Sequence, residues 1–127
     1  MAPRRRPLVP AGAQLTVVLV DARNVLRSRW PNIPEDEVVR RTAAWAAAEG
    51  VDALVVFDGR APEADAAVRV VATGARSADD WIADEAERLA AEGVSYWLVT
   101  SDRELRERAG AEAERVIGGG TFAALLT

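Results

Sequence analysis

Short, continuous apolar runs that alternate with helix-like segments constrain the fold of this chain most strongly. The first is Leu15-Thr-Val-Val-Leu-Val20, and the others span residues 51–57, 68–72, 95–100 and 115–117. Apolar, β-branched runs of this length are typical of strands buried on both faces of a parallel sheet. Because helix-like segments separate most of them, the sequence predicts an α/β fold, a three-layer sandwich with a mainly parallel central sheet.

Helix boundary signals lie between the predicted strands. Pro34, followed by three acidic residues, predicts a helix start, and Gly50 predicts its end. Capping boxes are indicated at Ser77-Ala-Asp-Asp80 and Ser101-Asp-Arg-Glu104. Residues 21–34 are predicted to be a loop with one helical turn over 24–28. The apolar helix that closes the chain could pack on its own core or on a second copy in a homodimer.

The length of 127 residues fits one domain. Residues 1–13 contain three prolines and three arginines, and we expect a flexible tail there and a single domain over residues 14–127. No apolar run reaches the ~18 residues of a membrane span. No apolar segment typical of a signal peptide follows Arg4–Arg6. We therefore expect a cytoplasmic protein with no membrane partner.

The composition excludes several kinds of catalytic site. All sixteen basic residues are arginine, and lysine, cysteine and histidine are absent. Thiol nucleophiles, Cys/His zinc sites, Ser-His-Asp triads and lysine Schiff bases are therefore excluded. Residues 1–45 hold eight arginines against four acidic residues, whereas residues 46–127 hold eight against sixteen. This asymmetry is compatible with phosphate contacts near acidic metal ligands, and also with a solubilising surface.

Aspartates follow three of the predicted strands. Asp21, Asp58 and Asp102 come after the strands that end near Val20, Phe57 and Thr100. The carboxyl ends of parallel strands meet at one edge of a sheet, where α/β folds bind their ligands. An oxygen-only cluster of this kind suits Mg²⁺ or Mn²⁺, which can activate water for attack on a phosphodiester.

Asp79 is placed by helical periodicity. It lies on the apolar stripe that a helix over 77–92 would pack against the sheet, with Ile82, Ala86 and Leu89. An unpaired carboxylate buried there would be costly, and a metal ion or the amides of the helix N-terminus would stabilise it. Its neighbour Asp80 points about 100° away around the helix.

Some of these carboxylates also have purely structural explanations. Asp80 can be the acidic partner of Ser77 in a capping box. Asp102 would be favoured at a helix start by the helix dipole alone, and Asp58 precedes a glycine as in many turns. Ser101 is better explained as a helix cap than as part of a catalytic pair.

Five short motifs follow one another along residues 15–126. They are Val20-Asp-Ala-Arg-Asn-Val-Leu26, Val55-Val-Phe-Asp58, Ser77-Ala-Asp-Asp-Trp-Ile82, Val99-Thr-Ser-Asp102 and Gly120-Thr-Phe-Ala-Ala-Leu-Leu126. In this order they resemble the NYN branch of the PIN-like ribonucleases, and most closely the YacP-like family. Ala22 stands where that family often has glycine.

The resemblance implies a PIN-like fold with a sheet order near 3-2-1-4-5 and an enzyme, a metal-dependent ribonuclease that hydrolyses RNA phosphodiester bonds. Matched by position, Asp21, Asp79 and Asp102 would be catalytic residues and ligands of Mg²⁺ or Mn²⁺. Asp80 would be a further metal ligand and Asp58 a secondary candidate. The RNA would be single-stranded or presented by the ribosome. The alternative is a catalytically weak or inactive PIN-like module that binds RNA or a partner protein.

Candidate substrate-binding residues are Asn24 and Ser101, together with Arg23 and Arg27. Arg23, Arg27 and Arg29 follow the first aspartate and are placed to contact phosphates. Trp30 could stack on an unpaired base or pack as a lid on the core.

A different carboxylate–metal enzyme is disfavoured. HAD-type phosphatases and receiver-like switches both use a lysine, which this chain lacks. A HAD-type opening also needs a second aspartate two residues after Asp21, where Arg23 stands.

Overall fold

The computed structural model describes residues 15–28, 33–63 and 68–126. In these ranges strands and helices alternate along most of the chain. The elements are β1 (Val17–Asp21), α1 (Ala22–Arg27), α2 (Glu35–Glu49), β2 (Asp52–Phe57), β3 (Arg69–Ala72), α3 (Ala78–Ala91), β4 (Tyr96–Val99), α4 (Arg103–Ala109), β5 (Arg115–Ile117) and α5 (Gly119–Leu125). The predictions concerning the tail over 1–13, Arg29 and Trp30 fall outside the described residues.

The strands form one five-stranded sheet in the order β3-β2-β1-β4-β5. Every neighbouring pair is parallel, with Asp21 opposite Val56 and Val20 opposite Val99. The carboxyl ends of β2, β1 and β4 therefore lie side by side. This confirms the predicted α/β sandwich and its sheet order.

Alternate side chains of β1 pack against helices on opposite faces of the sheet. Val17 and Leu19 belong to a core that includes Ile82 and Leu89 of α3 and Leu105 of α4. On the other face, Val18 and Val20 pack with residues of α1, α2 and α5, namely Val25, Ala46 and Phe122. The alternation follows from the two-residue period of a strand and produces the three layers.

The first helix differs from the sequence prediction. Residues 22–27 form α1 directly after β1, where a loop with a single turn is predicted. Asp21 is its N-cap, and Ala22 and Val25 are fully buried. The N-cap at Asp21 and the burial of two side chains three residues apart favour a helix in this short segment, although two prolines follow closely in the sequence.

The predicted boundaries of α2 and α3 agree with the structure, but the predicted capping box at Ser101 is wrong. Asp102 is the N-cap of α4, and the Ser101 hydroxyl accepts a hydrogen bond from the Gly119 amide instead. Gly50 ends α2 with a φ of 73°, a left-handed conformation that glycine adopts without strain. The Ser77 hydroxyl accepts a hydrogen bond from the Asp80 amide at 3.0 Å and caps α3.

Trp45 and Trp97 are half-buried. They form an aromatic cluster with Phe122, with ring centroids 6.2 Å apart for Trp45–Trp97 and 4.9 Å apart for Trp45–Phe122. In the part of the chain that the structure describes, no helix has the length and apolar character needed to cross a membrane.

Candidate active site

A cleft of about 170 Å³ lies at the carboxyl edge of the sheet. Its walls contain the four predicted aspartates that follow strands or begin α3, namely Asp21, Asp58, Asp79 and Asp102. Arginine, amide and hydroxyl side chains complete the lining, and these are Arg23, Asn24, Arg27 and Ser77. The structure thus brings together carboxylates from four separate segments of the chain.

Asp21 is the buried member of the group, with 5% of its surface exposed. One carboxylate oxygen accepts a hydrogen bond from the Thr100 hydroxyl at 3.0 Å, and the other faces the Asn24 amide at 3.5 Å. Burial raises the pKa of Asp21 to about 6, with smaller contributions from the negative charges of Asp79 and Asp58, while the two hydrogen bonds act against the shift. This carboxylate is therefore costly to ionise without a counter-charge.

Asp58 connects β2 to the start of α3. Its Oδ1 atom accepts a hydrogen bond from the Ala78 amide at 2.7 Å, and its Oδ2 atom lies 3.5 Å from Nε of Arg23. The first contact fixes the N-terminus of α3 at the edge of the sheet. Since Asp79 is the next residue, Asp58 also fixes the position of the Asp79 carboxylate.

The Asp79 carboxylate has no hydrogen bond or ion pair to any residue in the described ranges and lies half-buried in the cleft. Burial raises its pKa, and the negative charges of Asp102 and Asp58 raise it further, whereas Arg108 lowers it. The periodicity argument that places Asp79 on the inward stripe is confirmed, because Ile82, Ala86 and Leu89 are buried on the same face. Its oxygens remain available to a ligand.

Asp102 caps α4, with Oδ1 accepting from the Leu105 amide at 2.9 Å. Thr100, fully buried, connects Asp102 to Asp21, because its Oγ1 accepts from the Asp102 amide at 3.1 Å while donating to Asp21. Thr100 and Ser77 are not among the site residues predicted from the sequence. For Thr100 the available signal is a polar residue that ends an apolar strand immediately before Ser101 and Asp102.

Asn24 and Ser101 hold three segments together. The Asn24 Oδ1 atom accepts from the Ser101 amide at 2.8 Å, and the Ser101 hydroxyl accepts from the Gly119 amide at 2.8 Å. A Cβ atom at Gly119 would overlap Asn24 Oδ1, so the close approach of α5 requires glycine. Arg106 adds a hydrogen bond from Nε to the Thr100 carbonyl at 2.9 Å. These contacts fix the loop that carries Asp102.

The structure does not bring Asp80 into the lining of the cleft. Its carboxylate is exposed and pairs with Arg108 at 2.9 Å, and this guanidinium lowers the pKa of Asp80. Its amide donates to Ser77 as a helix cap. Arg23 and Arg27 do lie in the cleft wall.

The donor set suits a hard divalent cation. Carboxylate oxygens are the preferred ligands of Mg²⁺ and Mn²⁺, and the raised pKa values of Asp21 and Asp79 indicate negative charge that a cation would neutralise. Among residues 15–28, 33–63 and 68–126, no three acidic side chains converge tightly enough to hold an ion by themselves. Mg²⁺ commonly uses one or two protein carboxylates and keeps several waters, so a site of this kind remains compatible with it.

Solved structures of one bacterial protein share this fold. Rae1 (YacP) from Bacillus subtilis matches with a TM-score of 0.69 and 21% sequence identity, over 88% of this chain and 74% of that chain. A single-substitution variant of the same protein matches with a TM-score of 0.71 and 20% identity, over 88% and 75%. No model of a known protein family and no curated protein sequence matches this chain. At this level of identity the likeness establishes the architecture, and the chain has a YacP-like fold.

Proposed function

We propose that this protein is a metal-dependent ribonuclease that hydrolyses RNA phosphodiester bonds in the carboxylate cleft. The observation that carries the proposal is the meeting of Asp21, Asp79 and Asp102 in one cleft whose wall also holds Arg23 and Arg27. The YacP-like fold supports it, because the sequence motifs resemble the same family of ribonucleases. Since lysine, histidine and cysteine are absent, carboxylates and arginines are the ionised side chains available for this chemistry.

In this proposal Asp21, Asp79 and Asp102 would hold Mg²⁺ or Mn²⁺, one or two of them by direct coordination and the rest through waters that the ion keeps. The bound ion would supply Lewis-acid stabilisation of the charge that develops on the phosphoryl oxygens. Thr100 orients Asp21 and the loop before Asp102 through its two hydrogen bonds. Asp58 acts by anchoring the start of α3, and it does not need to touch the ion.

Arginine and amide groups have binding and positioning roles in the same proposal. Arg23 and Arg27 would contact phosphates of the RNA strand, because a guanidinium binds phosphate oxygens with charge-assisted hydrogen bonds. Asn24 and Ser101 would act on the substrate mainly by fixing the loops around the cleft. The proposed substrate is single-stranded or ribosome-presented RNA in the cytoplasm.

The test is a titration of Mn²⁺ into the wild type, Asp79→Asn and the control Asp84→Asn, with binding followed by calorimetry. Cleavage of a mixed-sequence single-stranded RNA is measured in the same buffer. Asp84 lies on the same helix but is exposed and pairs with Arg76. We expect binding and cleavage in the wild type and the control, and a loss of both in Asp79→Asn. Absence of Mn²⁺ binding at millimolar concentration would refute the proposal and favour an inactive module that binds RNA or a protein.

A further inference from the structure

Most arginines in the described part of the chain have a partner. Seven of them form ion pairs with carboxylates, and these are Arg23, Arg40, Arg41, Arg69, Arg76, Arg88 and Arg108. Arg106 donates to a backbone carbonyl, and the Arg115 guanidinium lies 4.4 Å from the centre of the Trp97 ring. Arg27, Arg60 and Arg103 differ, since they make no hydrogen bond, ion pair or ring contact with any described residue.

These three arginines share one location. Arg60 follows β2 by three residues, Arg27 ends the helix that follows β1, and Arg103 begins the helix that follows β4. Because β2, β1 and β4 are neighbours in that order, the three residues flank the carboxyl edge of the sheet. The outer two of these strands, β2 and β4, are two inter-strand spacings apart, which is roughly 10 Å. The three arginines that have no partner among the described residues thus lie at the sheet edge that carries the carboxylate cleft, and Arg27 lines the cleft.

Their lack of partners among the described residues is informative in a chain with an excess of acidic residues. The sequence has 20 acidic residues against 16 arginines, so carboxylates are plentiful. Arg103 has Glu107 one helical turn away and still makes no ion pair with it. All three side chains are exposed, so they cost the fold nothing in desolvation. An anion supplied from outside would complete their hydrogen bonding, and a phosphodiester fits a guanidinium well.

An anionic strand entering this cleft meets unfavourable electrostatics at its centre. Four carboxylates line the cleft and would repel a phosphate that arrives without a cation. Guanidinium groups on either side of the cleft would attract the phosphates that flank the bond to be cut. With guanidinium groups in these positions, a nucleic-acid strand can bind through the phosphates on either side of the bond to be cut, while the phosphate of that bond lies at the carboxylates.

We infer that Arg27, Arg60 and Arg103 form a row of phosphate-binding residues that holds one nucleic-acid strand across the cleft through about three phosphates. The inference rests on the proposed function for the nature of the strand, and it adds Arg60 and Arg103 to the site. A footprint of three contacts gives a salt dependence of binding with a slope near −2 in log K against log salt, at about 0.7 per phosphate of a single strand.

The test measures the salt dependence of strand binding by fluorescence anisotropy with a labelled oligouridylate. The full chain carries Asp21→Asn to prevent cleavage, and the concentration of Mg²⁺ is constant. Arg27→Gln, Arg60→Gln and Arg103→Gln are compared singly and together with Arg69→Gln, which makes the same change of charge. Arg69 pairs with Asp52 at the opposite, amino edge of the sheet.

Each single substitution should reduce the magnitude of the slope by about 0.7, and the triple variant should reduce it by about 2. Arg69→Gln should leave the slope unchanged. With the native Asp21, the same arginine substitutions should raise KM for strand cleavage more than they lower kcat. Far-ultraviolet circular dichroism should be unchanged, because these side chains are exposed and make no hydrogen bond or ion pair with any described residue.

Two results would overturn the inference. One is a triple variant whose slope equals that of Arg69→Gln, and the other is the absence of any salt-dependent binding of the strand. The proposed function is judged separately, from cleavage of the same strand by the chain with native Asp21. If the strand is cleaved but the arginine substitutions leave the salt-dependence slopes unaltered, only the proposed phosphate-binding row is refuted. If the slopes change but the strand is not cleaved, the proposed ribonuclease activity is refuted and the phosphate-binding row is supported.

Discussion

Replacing Asp21 with asparagine should stabilise the metal-free protein, and the gain should grow with pH. The Asp21 carboxyl is buried, and its pKa is raised from the ordinary value of 3.8 to about 6. Folding therefore favours the protonated form. Below pH 3.8 the group is neutral in both the folded and the unfolded chain and costs nothing. As the pH rises through 6 the folded chain must ionise it, and the stability that the neutral form contributed is lost.

The size of the effect follows from the same two values. The difference between the pKa of about 6 in the folded chain and the ordinary value of 3.8 corresponds to about 3 kcal/mol at pH 8, and to about 1 kcal/mol at pH 4.5. The introduced amide can still accept from the Asn24 amide and can donate to the Thr100 hydroxyl, but the buried Thr100 O–H group then loses its acceptor. This loss costs about 1 kcal/mol at either pH and reduces the net gain at pH 8 to about 2 kcal/mol. The substitution thus removes a charge with little change in packing.

Urea denaturation in EDTA, followed by tryptophan fluorescence, measures this difference at the two pH values. The midpoint for Asp21→Asn should rise at pH 8 with an unchanged m-value. Glu107→Gln is the control, because it removes one negative charge from an exposed position and should change the stability by less than about 0.5 kcal/mol. A gain of equal size at both pH values, or a loss of stability at pH 8, would refute the electrostatic argument.

Four further predictions test the site and its support. Asp102→Ala should lower the free energy of unfolding by about 1 kcal/mol because it removes the cap of α4, whereas Asp102→Asn should keep the cap and abolish RNA cleavage. Gly119→Ala should cost about 1–3 kcal/mol in urea denaturation, and Gly120→Ala, where a Cβ would make only an ordinary contact with Ser28 Cβ at 3.8 Å, should cost clearly less. Thr42→Val should stabilise by about 1 kcal/mol, since the buried hydroxyl has no hydrogen-bond partner within the described residues; an unchanged midpoint would contradict this. Mn²⁺ at about 100 times its Kd should add about 2.7 kcal/mol in urea denaturation without EDTA, and Asp79→Asn should remove this effect; equal stabilisation of both would count against a role of Asp79 as a metal ligand.

Local patterns account for the parts of the fold that the sequence predicted well. Strand β5 lies at 115–117 as predicted, and α2 ends at Gly50 because glycine adopts the left-handed conformation found there. The sheet order came from the resemblance and not from the patterns. Helix α1 was missed because its six residues carry too little periodicity to outweigh the loop signals of Pro31 and Pro34.

Site residues that follow strands could be predicted, because the strand ends determine their positions. Hydrogen bonds between residues that are far apart in sequence could not. Asp21 and Thr100 are 79 residues apart in sequence, and no local signal indicates their hydrogen bond. The same holds for Asp58, which binds the Ala78 amide 20 residues away. Helical periodicity correctly separated the directions of Asp79 and Asp80, but the partner of Asp80 comes from another helix, α4.

The way the cleft is built indicates where a cation is needed. Asp21 and Asp102 are the N-caps of α1 and α4, and Asp58 accepts from the first amide of α3, so three helix N-termini point at the cleft. The partial positive charge of those termini stabilises neighbouring carboxylates. This partial charge is not enough to stabilise the ionised forms of Asp21, which is buried, and Asp79, which has no hydrogen bond to any described residue. The pKa values of both carboxyl groups are raised. The negative charge that the fold cannot neutralise by itself thus lies on these two residues, and a bound cation would stabilise the folded protein there most.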